Sequence, residues 1–448
     1  MGRPLALPVH RPAVKPFDEL APELDGQLEG LDARARGRLA RLGVLFRTTS
    51  GRTAFPLDPI PRVIALADWE PLAAGAGQRA RALNAFVADA YGDRRIVTEG
   101  VMPARVIETA EHYEPRLQGV EPAGGQWVGI AGLDLVRAPD GEFHVLEDNL
   151  MTPSGFAYAA AAREAVVAAL DPPPELAPLG YGELPLLLAG TFRAAAARDR
   201  EPYLIVLTDS VENPAYWEHE WTAATLGVPL VLPSDLRLDG DRLMHGSHGV
   251  DGVYRRANDD TLDTDVGRLL APAVLAGTLG VVNAFGCGVA DDKLAHAYVE
   301  EMVRFYLGEE PALRSVPTLD LGRPEQLERA LDTFADLVVK PRAGHGGIGV
   351  VICPHADAAD VAEARDRVRD SPADWVAQPF VQLSRHPTLV DGGLANRHVD
   401  LRPFVFMQGP DEARVLTGGL TRFAMDEGAV VVNTTQNGGF KDTWVVDR

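Results

Sequence analysis

The feature that most constrains the fold is a lysine at the end of an apolar run, followed directly by a glycine-rich loop, in LVVKPRAGHGGIGVV at 337–351. A strand would deliver Lys340 to this loop, whose glycines let backbone N–H groups approach phosphate oxygens closely. The segment is not a Walker loop, because the lysine precedes the glycines and no GK[ST] is present. No helix clearly starts at the last glycine, as a dinucleotide fingerprint requires. The pattern therefore predicts a phosphate-binding strand and loop, with a plain glycine-rich hairpin turn as the alternative.

A second group of side chains falls on a predicted β-hairpin, in which two β-like runs are joined by the turn Pro-Asp-Gly at 139–141. Glu147 and Asn149 are two positions apart on one strand, so their side chains point to the same face, and Asp134 lies on the facing strand. Three converging oxygen-bearing side chains suit Mg²⁺, which shares its remaining positions with waters and phosphate oxygens. A solvated acidic hairpin is the alternative.

The run Ala-Asp-Asp-Lys at 290–293 is predicted to open a helix. Acidic residues there complement the helix macrodipole, so capping alone accounts for them. Without further context, Lys293 is an ordinary surface lysine.

Five basic residues complete the inventory of charged candidates: Arg255, Arg256, Arg402, Arg422 and Lys441. Each could form a surface ion pair. Arg402 and Arg422, however, lie inside apolar strand-like runs, where an unpaired charge is costly, so we expect both to have anionic partners. The sequence contains no GxSxG motif and no HxxxH pair, so it offers no protein nucleophile of the hydrolase type.

The order of apolar patterns predicts an α/β (α+β) protein with several lobes. Residues 17–95 are predicted to be mostly helical, a helix is predicted over about 155–170, and the proline-rich segment after it is the predicted linker. Strands and helices alternate beyond the linker, and the C-terminal third carries further strand-like runs. The predicted divisions are a mostly helical N-terminal region at 1–95, a region with the acidic hairpin at 96–170, an α/β region at 171–290 and a region with Lys293, Lys340 and the glycine-rich loop at 291–448.

Charge and composition exclude several functional classes. The formal net charge is −21 with no offsetting basic cluster, which argues against nucleic acid as a partner. No apolar run is long enough for a membrane span, and the proline-containing N-terminus lacks the apolar core of a signal peptide. The two cysteines, Cys287 and Cys353, fit a reducing cytoplasm and are expected to be buried. We therefore expect a cytoplasmic protein with no membrane partner.

Taken together, these motifs resemble the ATP-grasp superfamily. In that superfamily two lysines clasp ATP, a glycine-rich loop covers the phosphates, a hinge strand meets the adenine, and an Asp…Glu-x-Asn set holds Mg²⁺. Here the metal set precedes the lysines by more than a hundred residues, and this permuted order resembles glutathionylspermidine synthase and, more closely, the circularly permuted ATP-grasp family. The closer match includes LEDNLMTPSG, NPAYWEHEW, VYRRANDD, NAFGCGVADDKLAHAYV, RHVDLRPFVF and VNTTQNGGFKDTW.

The resemblance implies a circularly permuted ATP-grasp fold with ATP held between two α+β lobes, and it assigns roles to individual residues. The metal set is Asp134, Glu147 and Asn149, and two Mg²⁺ ions are expected there. In this family 96–170 becomes the metal-binding half, 171–290 the substrate domain and 291–448 the ATP-binding lobe. The ATP-binding set is Lys293, Lys340, Gly344, His345, Gly346, Gly347, Gln378, Pro379, Phe380, Val381, Gly438 and Gly439, the last two in a second loop with Lys441. The catalytic set is Arg402, Arg422, Arg256 and Lys441, and the substrate set is Ser154, Tyr158, Arg163, Asn213 and Arg255.

Two departures from the pattern argue against glutathione and a polyamine as the substrates. Ala162 stands where the family has Asn, and Gly132 stands where glutathionylspermidine enzymes place an arginine before the metal Asp. The resemblance implies an ATP- and Mg²⁺-dependent carboxylate–amine ligase that forms an amide through an acyl phosphate, acting on small-molecule or peptide substrates. Two alternatives stay open: a phosphotransferase that stops at a phosphorylated product, and a non-catalytic ATP-binding scaffold that works with a partner ligase or modifying enzyme.

Overall fold

The computed structural model describes residues 28–48, 51–196, 200–257, 261–344, 347–429, 432 and 438–447. The helices of this part of the chain are α1 Leu31–Arg41, α2 Leu66–Ala90, α3 Arg95–Thr98, α4 Arg105–Glu108, α5 Phe156–Leu170, α6 Leu184–Ala196, α7 Tyr216–Leu226, α8 Asp265–Leu275, α9 Gly288–Asp291, α10 Lys293–His296, α11 Val299–Met302, α12 Pro324–Asp332 and α13 Ala358–Asp370. None of them is long and apolar enough to cross a lipid bilayer.

The strands follow the same numbering in chain order. They are β1 Leu45–Thr48, β2 Gly51–Ala54, β3 Leu57–Ala65, β4 Ile130–Arg137, β5 Phe143–Asn149, β6 Leu204–Thr208, β7 Leu230–Val231, β8 Leu236–Asp239, β9 Arg242–His245, β10 His248–Gly249, β11 Gly252–Arg256, β12 Gly280–Val282, β13 Arg314–Ser315, β14 Leu319–Asp320, β15 Leu337–Pro341, β16 Val351–Ile352, β17 Trp375–Pro379, β18 Arg385–Val390, β19 Gly393–His398, β20 Arg402–Met407, β21 Ala413–Ala424 and β22 Gly438–Val446.

The central layer is a seven-stranded mixed sheet, in the order β13-β5-β4-β20-β21-β22-β3 among the described strands. Side chains alternate between its two faces, as strand geometry requires. Leu133, Leu135 and Val405 pack with helix α2 on one face, whereas Phe404 and Phe406 pack with α1 and α5 on the other. Both faces are therefore buried by helices over most of the sheet.

Two smaller sheets flank this layer. The parallel sheet β12-β11-β6-β7 packs with α6 and α7, and the antiparallel sheet β14-β17-β15-β16 forms a separate lobe with its own core. In that lobe sheet Lys340 pairs with Val376, and Val338 pairs with Gln378. Because directly paired residues share a face, Lys340 and Gln378 lie on the same face of the lobe sheet.

The N-terminal region differs from the helical prediction for 17–95. Helices α1 and α2 are present, but strands β1, β2 and β3 lie between them. β3 joins the central sheet in parallel with β22, so strands from near the two ends of the described chain are neighbours. Residues 1–27 lie outside the described part. The predicted helix near 155–170 is confirmed as α5, and both cysteines are buried and form no disulfide. The division boundaries at 95, 170 and 290 stay predictions.

Candidate active site

The predicted metal hairpin is formed by strands β4 and β5. Asp134 pairs directly with Glu147, and Gly132 pairs with Asn149. The side chains of Asp134, Glu147 and Asn149 therefore share one face of the central sheet, as the alternation of positions predicts. This convergence needs no long-range contact, because the two strands are joined by a short turn.

The two lysines reach this hairpin from opposite sides. Lys293 is the first residue of α10 and its Nζ lies 3.9 Å from Glu147 Oε1, while Lys340 comes from β15 in the separate lobe. Both lysines and Glu147 line one narrow cleft. Burial lowers the pKa of Lys340, and Lys293 adds to this effect, whereas the carboxylates of Glu147 and Asp134 oppose it. Residues from three separate segments thus meet in one charged cleft.

The two aspartates before Lys293 have different structural roles. Asp292 is the N-cap of α10, where its Oδ1 accepts from Leu294 N at 2.8 Å, so the capping interpretation holds for it. Asp291 instead accepts the backbone N–H groups of Leu150 at 2.6 Å and Met151 at 2.9 Å. Burial raises the pKa of Asp291 to about 7. Asp291, the last residue of α9, therefore fixes the chain that leaves the metal hairpin just before the helix that carries Lys293.

The glycine-rich loop is held at its start by side chains from elsewhere in the chain. Gly344 O accepts a hydrogen bond from Lys293 Nζ, and Gly344 N donates to Glu111 Oε2 at 3.2 Å. Gly344, Gly347 and Gly349 have φ values of 93°, 76° and 76°, a region that favours glycine. His345 and Gly346 lie outside the described residues. The loop thus begins beside Lys293, and its contact with phosphate stays a prediction.

Arg342 anchors the same loop and was not singled out from the sequence. Its Nε lies 2.8 Å from Asp292 Oδ1, and its guanidinium also donates to Thr109 Oγ1 and to Val106 O at 3.0 Å. The side chain is buried, so it locks the strand that carries Lys340 against the segment around α4. Its position two residues after Lys340 is the sequence feature that could have identified Arg342 as part of the site.

The predicted hinge is strand β17 and the residues after it. The Gln378 side chain donates to Thr318 Oγ1 at 2.8 Å and to Leu146 O at 3.4 Å. Pro379 closes the strand opposite Leu337, and Val381 follows it without a regular element. Phe380 N donates to Asp336 O at 3.1 Å, and the Phe380 ring packs on His355 with centroids 4.9 Å apart. Of these residues, Gln378 is the one that lines the cleft with the two lysines.

Arg402 and Arg422 have the anionic partners that their apolar setting predicts. Arg402 donates to Asp134 from Nε at 2.7 Å and from Nη2 at 2.8 Å. Arg422 Nη2 lies 2.9 Å from Asp134 Oδ2, and its Nε donates to Asp400 at 3.0 Å. Burial alone raises the pKa of Asp134, but the two arginines overcome it and lower that pKa to about 2. Asp134 is thus ionised and shared between two guanidinium groups.

The donor set of the hairpin suits Mg²⁺, with one competition. Glu147 keeps 36% of its side chain exposed toward the cleft, and buried Nδ2 of Asn149 has no hydrogen-bond partner among the described residues. Two carboxylates and an amide are the hard oxygen donors that Mg²⁺ accepts. No cluster of three or more His, Cys, Asp and Glu ligands occurs within the described ranges. The set therefore fits an ion that also takes phosphate oxygens, and Asp134 would share its oxygens between the ion and the arginines.

Lys441 does not belong to this cleft, contrary to the sequence prediction. Arg422 pairs with Phe440, and Thr421 pairs with Lys441, so Lys441 points to the opposite face of the sheet from Arg422. Its fully buried Nζ donates to Asp58 and to Pro387 O. Burial lowers the pKa of Lys441 well below its ordinary value. Lys441 is a buried ion-pair residue and not a group of the site.

Gly438 and Gly439 form no second phosphate loop. They are the first residues of strand β22 and pair with Ala424 and Phe423. A Cβ added at Gly439 would meet the Phe423 ring at 2.2 Å. Close packing thus requires a glycine at position 439, and the prediction of a loop at these two positions is wrong because both belong to the strand. Residues 433–437 lie outside the described part of the chain.

Arg256 sits in the parallel sheet and is committed to protein partners. Its Nε donates to His219 Nε2 at 3.2 Å, its Nη1 donates to Pro153 O at 3.2 Å, and Nη2 lies 3.7 Å from Glu218 Oε1. Ser154 Oγ donates to the same Glu218 at 2.6 Å, and Ser154 O lies 3.5 Å from Arg402 Nη1. Arg256 therefore supports the turn before α5. This turn also contacts Arg402 through the carbonyl of Ser154, so Arg256 is linked to the Arg402–Asp134 pair indirectly.

The remaining substrate candidates are structural in this fold. Asn213 caps the turn before α7 by accepting from Ala215 N at 2.9 Å, and buried Arg255 lies over the Phe285 ring at 4.6 Å. Tyr158 stacks on Phe55 at 5.0 Å, and burial raises its pKa. Arg163 donates to Asp442 Oδ2 at 2.7 Å. These contacts place the four side chains in packed surroundings and not in the lysine cleft.

A buried triad beside the cleft was missed from the sequence. Arg79 on α2 donates to Asp148 Oδ1 at 2.6 Å and to Oδ2 at 2.8 Å, and His296 Nδ1 lies 2.7 Å from Asp148 Oδ2. Asp148 and His296 both line the cleft with the lysines. Asp148 sits between the two predicted ligands of β5, and His296 lies three residues after Lys293, so proximity to the motifs was the available signal.

Comparison with known proteins adds a family to this geometry. Residues 61–424 match the model of a protein family described as circularly permuted ATP-grasp type 2. This range includes Lys293, Lys340, the metal hairpin and the two arginines that bind Asp134.

Relatives of similar sequence cover nearly all of the chain. A putative glutamate–cysteine ligase of Frankia casuarinae is 41% identical over 461 aligned residues, which cover 98% of this chain and 52% of that protein. An uncharacterised protein of Synechocystis is 39% identical, with 98% of this chain and 94% of that protein covered. The chain thus spans about half the length of the Frankia relative, and the name of that relative belongs to the whole of it.

A solved structure shares the fold at low sequence identity. The structure of a glutathione synthetase-like effector from Globodera pallida, in its apo form, covers 96% of this chain and is itself covered to 98%. The TM-score is 0.65 and the identity is 11%. This likeness concerns the arrangement of helices and strands only.

Proposed function

The chain belongs to the circularly permuted ATP-grasp type 2 family, and we propose from this premise that it is an ATP- and Mg²⁺-dependent ligase that joins a carboxylate to an amine. The observation that carries the proposal is the cleft itself. Lys293 and Lys340 approach Glu147 from two separate parts of the fold, beside a carboxylate–arginine pair formed by Asp134 and Arg402. This arrangement concentrates cations where a triphosphate and an acid would meet.

The proposed reaction has two steps that balance without a protein nucleophile. A carboxylate oxygen of the acid attacks the γ-phosphorus of ATP, the bond to the bridging oxygen breaks, and ADP leaves with the electron pair. The amine nitrogen then attacks the acyl carbon, loses a proton to water, and expels inorganic phosphate to leave an amide. Positioning and charge neutralisation are the main contributions that such a reaction needs from a protein.

The positions of the side chains support the following roles. In the proposed reaction Lys293 and Lys340 neutralise phosphate charge, and Glu147, Asn149 and Asp134 would hold Mg²⁺, which supplies Lewis-acid stabilisation of the phosphoryl oxygens when bound. Arg402 lies at the edge of the cleft network with 15% of its side chain exposed, where its guanidinium can meet the substrate carboxylate or the oxyanion. Arg422, held by two carboxylates, supports Asp134.

The proposal is tested in two stages that do not require the amine to be known. ADP release with Mg-ATP is measured against amino acids, including glutamate and cysteine, then small peptides, polyamines and pairs of these. For any acid that stimulates turnover, ATP labelled with ¹⁸O at the β,γ-bridge is incubated with that acid alone. Scrambling of the label into non-bridge positions reports reversible formation of an acyl phosphate.

The outcomes distinguish three hypotheses for the function of the site: a ligase, a phosphotransferase and a non-catalytic scaffold. Acid-dependent scrambling and amine-dependent amide formation, both lost in Lys340→Ala and Glu147→Ala, support the ligase. A stable phosphorylated product formed without an amine indicates a phosphotransferase. Tight ATP binding with no turnover above the two variants indicates a scaffold that works with a partner enzyme.

A further inference from the structure

The first glycine of the loop after β15 is bonded to a carboxylate from a distant part of the chain. Gly344 N donates to Glu111 Oε2 at 3.2 Å, and 233 positions separate the two residues. A backbone N–H in a glycine-rich loop is a donor that phosphate oxygens can approach closely. In this structure the donor is therefore already occupied by an anionic side chain of the protein itself.

Glu111 is carried by a turn that is fixed on both sides. Before it, Thr109 Oγ1 accepts a hydrogen bond from the Arg342 guanidinium. After it, Glu114 N donates to Tyr91 Oη at 3.1 Å. The carboxylate thus projects from an anchored turn, and the start of the glycine-rich loop docks on it.

The nearest lysine is occupied in the same way. Lys293 Nζ donates to Gly344 O and lies 3.9 Å from Glu147 Oε1. Both backbone groups of Gly344 are therefore bonded to side chains, one to a carboxylate and the other to an ammonium group. The N–H and the amine that we expect to bind phosphate at this point both have protein partners before a nucleotide arrives.

Glu111 borders the space that the phosphates would enter. One cavity is lined by Glu111, Gly344 and Lys293 together with Glu147 and Asn149 of the metal hairpin. Phosphate oxygens in this cavity would carry the same sign of charge as the Glu111 carboxylate, and like charges at such range repel each other. One N–H also cannot serve a phosphate and a carboxylate at full strength.

The contact is weak enough for a nucleotide to replace it. The Glu111 side chain is 53% exposed, and its ion-pair partner within the described ranges is His112, whose Nε2 lies 4.0 Å from Oε2. A single hydrogen bond in such a setting contributes little net free energy. A ligand with several negative charges can therefore displace the carboxylate from Gly344.

We propose that Glu111 is an intramolecular competitor of the nucleotide. Its carboxylate holds the N–H of Gly344 in the unliganded protein and leaves when the terminal phosphate of a nucleoside triphosphate takes its place. The proposal rests on the proposed ATP-dependent function and adds an autoinhibitory contact to that site. The affinity for the triphosphate is then reduced according to the fraction of molecules in which Glu111 holds the loop.

The first test is the affinity of the full chain for Mg²⁺ and AMP-PNP, a triphosphate analogue whose β,γ-bridge is not cleaved, measured by calorimetry. Glu111→Ala should bind the analogue about 3- to 10-fold more tightly than the wild type, because no carboxylate has to be displaced. AMP has no terminal phosphate, so its affinity should be the same for both proteins.

Glu108→Ala is the matched control. Glu108 is 54% exposed and pairs with Arg94 at 3.2 Å, so this variant removes the same charge three residues away and leaves the contact with Gly344 intact. It should bind AMP-PNP like the wild type. A gain equal to that of Glu111→Ala would assign the effect to net charge and overturn the inference.

Hydrogen–deuterium exchange of the unliganded proteins reports on the contact itself. The peptide that contains Gly344 should exchange several-fold faster in Glu111→Ala than in the wild type and in Glu108→Ala. AMP-PNP should slow the exchange of this peptide in all three proteins, because the phosphate then takes the N–H.

The inference fails if Glu111→Ala binds AMP-PNP no more tightly than the wild type, or if exchange at Gly344 is the same in both. Weaker binding by the variant also overturns it, since Glu111 would then assist the nucleotide. If none of the proteins binds a triphosphate, the proposed function itself fails. Binding that Glu111→Ala leaves unchanged removes only the competition.

Discussion

Arg402 donates its Nε and Nη2 to the two oxygens of Asp134 at 2.7 and 2.8 Å, so the carboxylate expected to hold a metal ion is already a two-point partner of an arginine. Such a fork matches carboxylate geometry, and a lysine in its place offers only a point charge. An ion at Asp134 would compete with Arg402 for the carboxylate oxygens, so ion binding would weaken the two hydrogen bonds between these residues. The Arg402 guanidinium would then be available to the reacting groups.

This relationship predicts that Arg402→Lys lowers kcat by about 10²- to 10³-fold, as the loss of one oriented donor to a developing oxyanion does. The Kd for Mg-ATP should change only a few-fold, because the two lysines are intact. Arg414→Lys on the neighbouring strand is the control, since that arginine is 65% exposed and its ion-pair partner is exposed Glu412. A fully active Arg402→Lys protein would remove the arginine from the mechanism.

The same pair predicts how stability depends on pH. Asp134 has an ordinary pKa of 3.8, which falls to about 2 in the folded protein because Arg402 and Arg422 outweigh burial. A depressed carboxyl pKa contributes stability that is fully present above pH 3.8 and is lost as the pH falls toward 2. The difference corresponds to about 2 kcal/mol.

Urea unfolding at several pH values checks this prediction. The gap in unfolding free energy between wild type and Asp134→Asn should shrink by about 1.5 kcal/mol as the pH falls from 5 to 2.5. Asp148→Asn serves as a second case, because the pKa of Asp148 is also depressed by a buried arginine. A gap that stays constant over this window would mean that Asp134 is not held ionised by the arginines.

The metal hairpin could be predicted because its information is local. Asp134, Glu147 and Asn149 lie on two strands joined by a short turn, and alternation of side chains alone places them on one face. The sequence also predicted that Arg402 and Arg422 would have anionic partners, because both lie in apolar runs. The identity of those partners was not, because Asp134 and Arg402 are separated by 268 residues.

The predictions for Gly438, Gly439 and Lys441 were wrong for one physical reason. Glycine and lysine occur both in phosphate-binding loops and inside packed sheets, and the local sequence does not distinguish the two settings. Gly438 and Gly439 signal a loop locally, but tertiary packing against Phe423 makes them strand residues. Lys441 follows them and is carried to the opposite face by alternation. The strands between α1 and α2 were likewise missed, because β3 is stabilised by pairing with a strand almost 400 residues away.

The position of Lys441 leads to a prediction about stability instead of catalysis. Replacing Lys441 by Met leaves the Asp58 carboxylate buried and unpaired, which costs about 3–5 kcal/mol of unfolding free energy. The Kd for Mg-ATP of the folded protein should not change. Unfolding in urea and calorimetric titration of the same samples give both quantities.

The double variant Lys441→Met with Asp58→Leu provides the control for that experiment. Removing both charges of a buried pair avoids the unpaired carboxylate, so the double variant should recover much of the lost stability. If Lys441→Met instead weakens Mg-ATP binding at least tenfold while remaining as stable as wild type, Lys441 belongs to the nucleotide site.

The scarcity of lysine permits a direct test of the cleft without any known substrate. The chain contains only Lys15, Lys293, Lys340 and Lys441. An acyl-phosphate derivative of ATP transfers its acyl group to a lysine amine that lies next to the bound phosphates. We expect acylation of Lys340 and Lys293, because both line the cleft, and none of Lys441, whose amine is fully buried on the opposite face of the sheet.

Peptide mapping by mass spectrometry identifies the modified lysines, and excess Mg-ATP should protect both cleft residues. Glu147→Gln, which removes a carboxylate charge 3.9 Å from Lys293, keeps both amines and should change only the Mg²⁺ dependence of labelling. Labelling of Lys441 in the native protein, or labelling of the cleft lysines that Mg-ATP does not prevent, would place the nucleotide elsewhere.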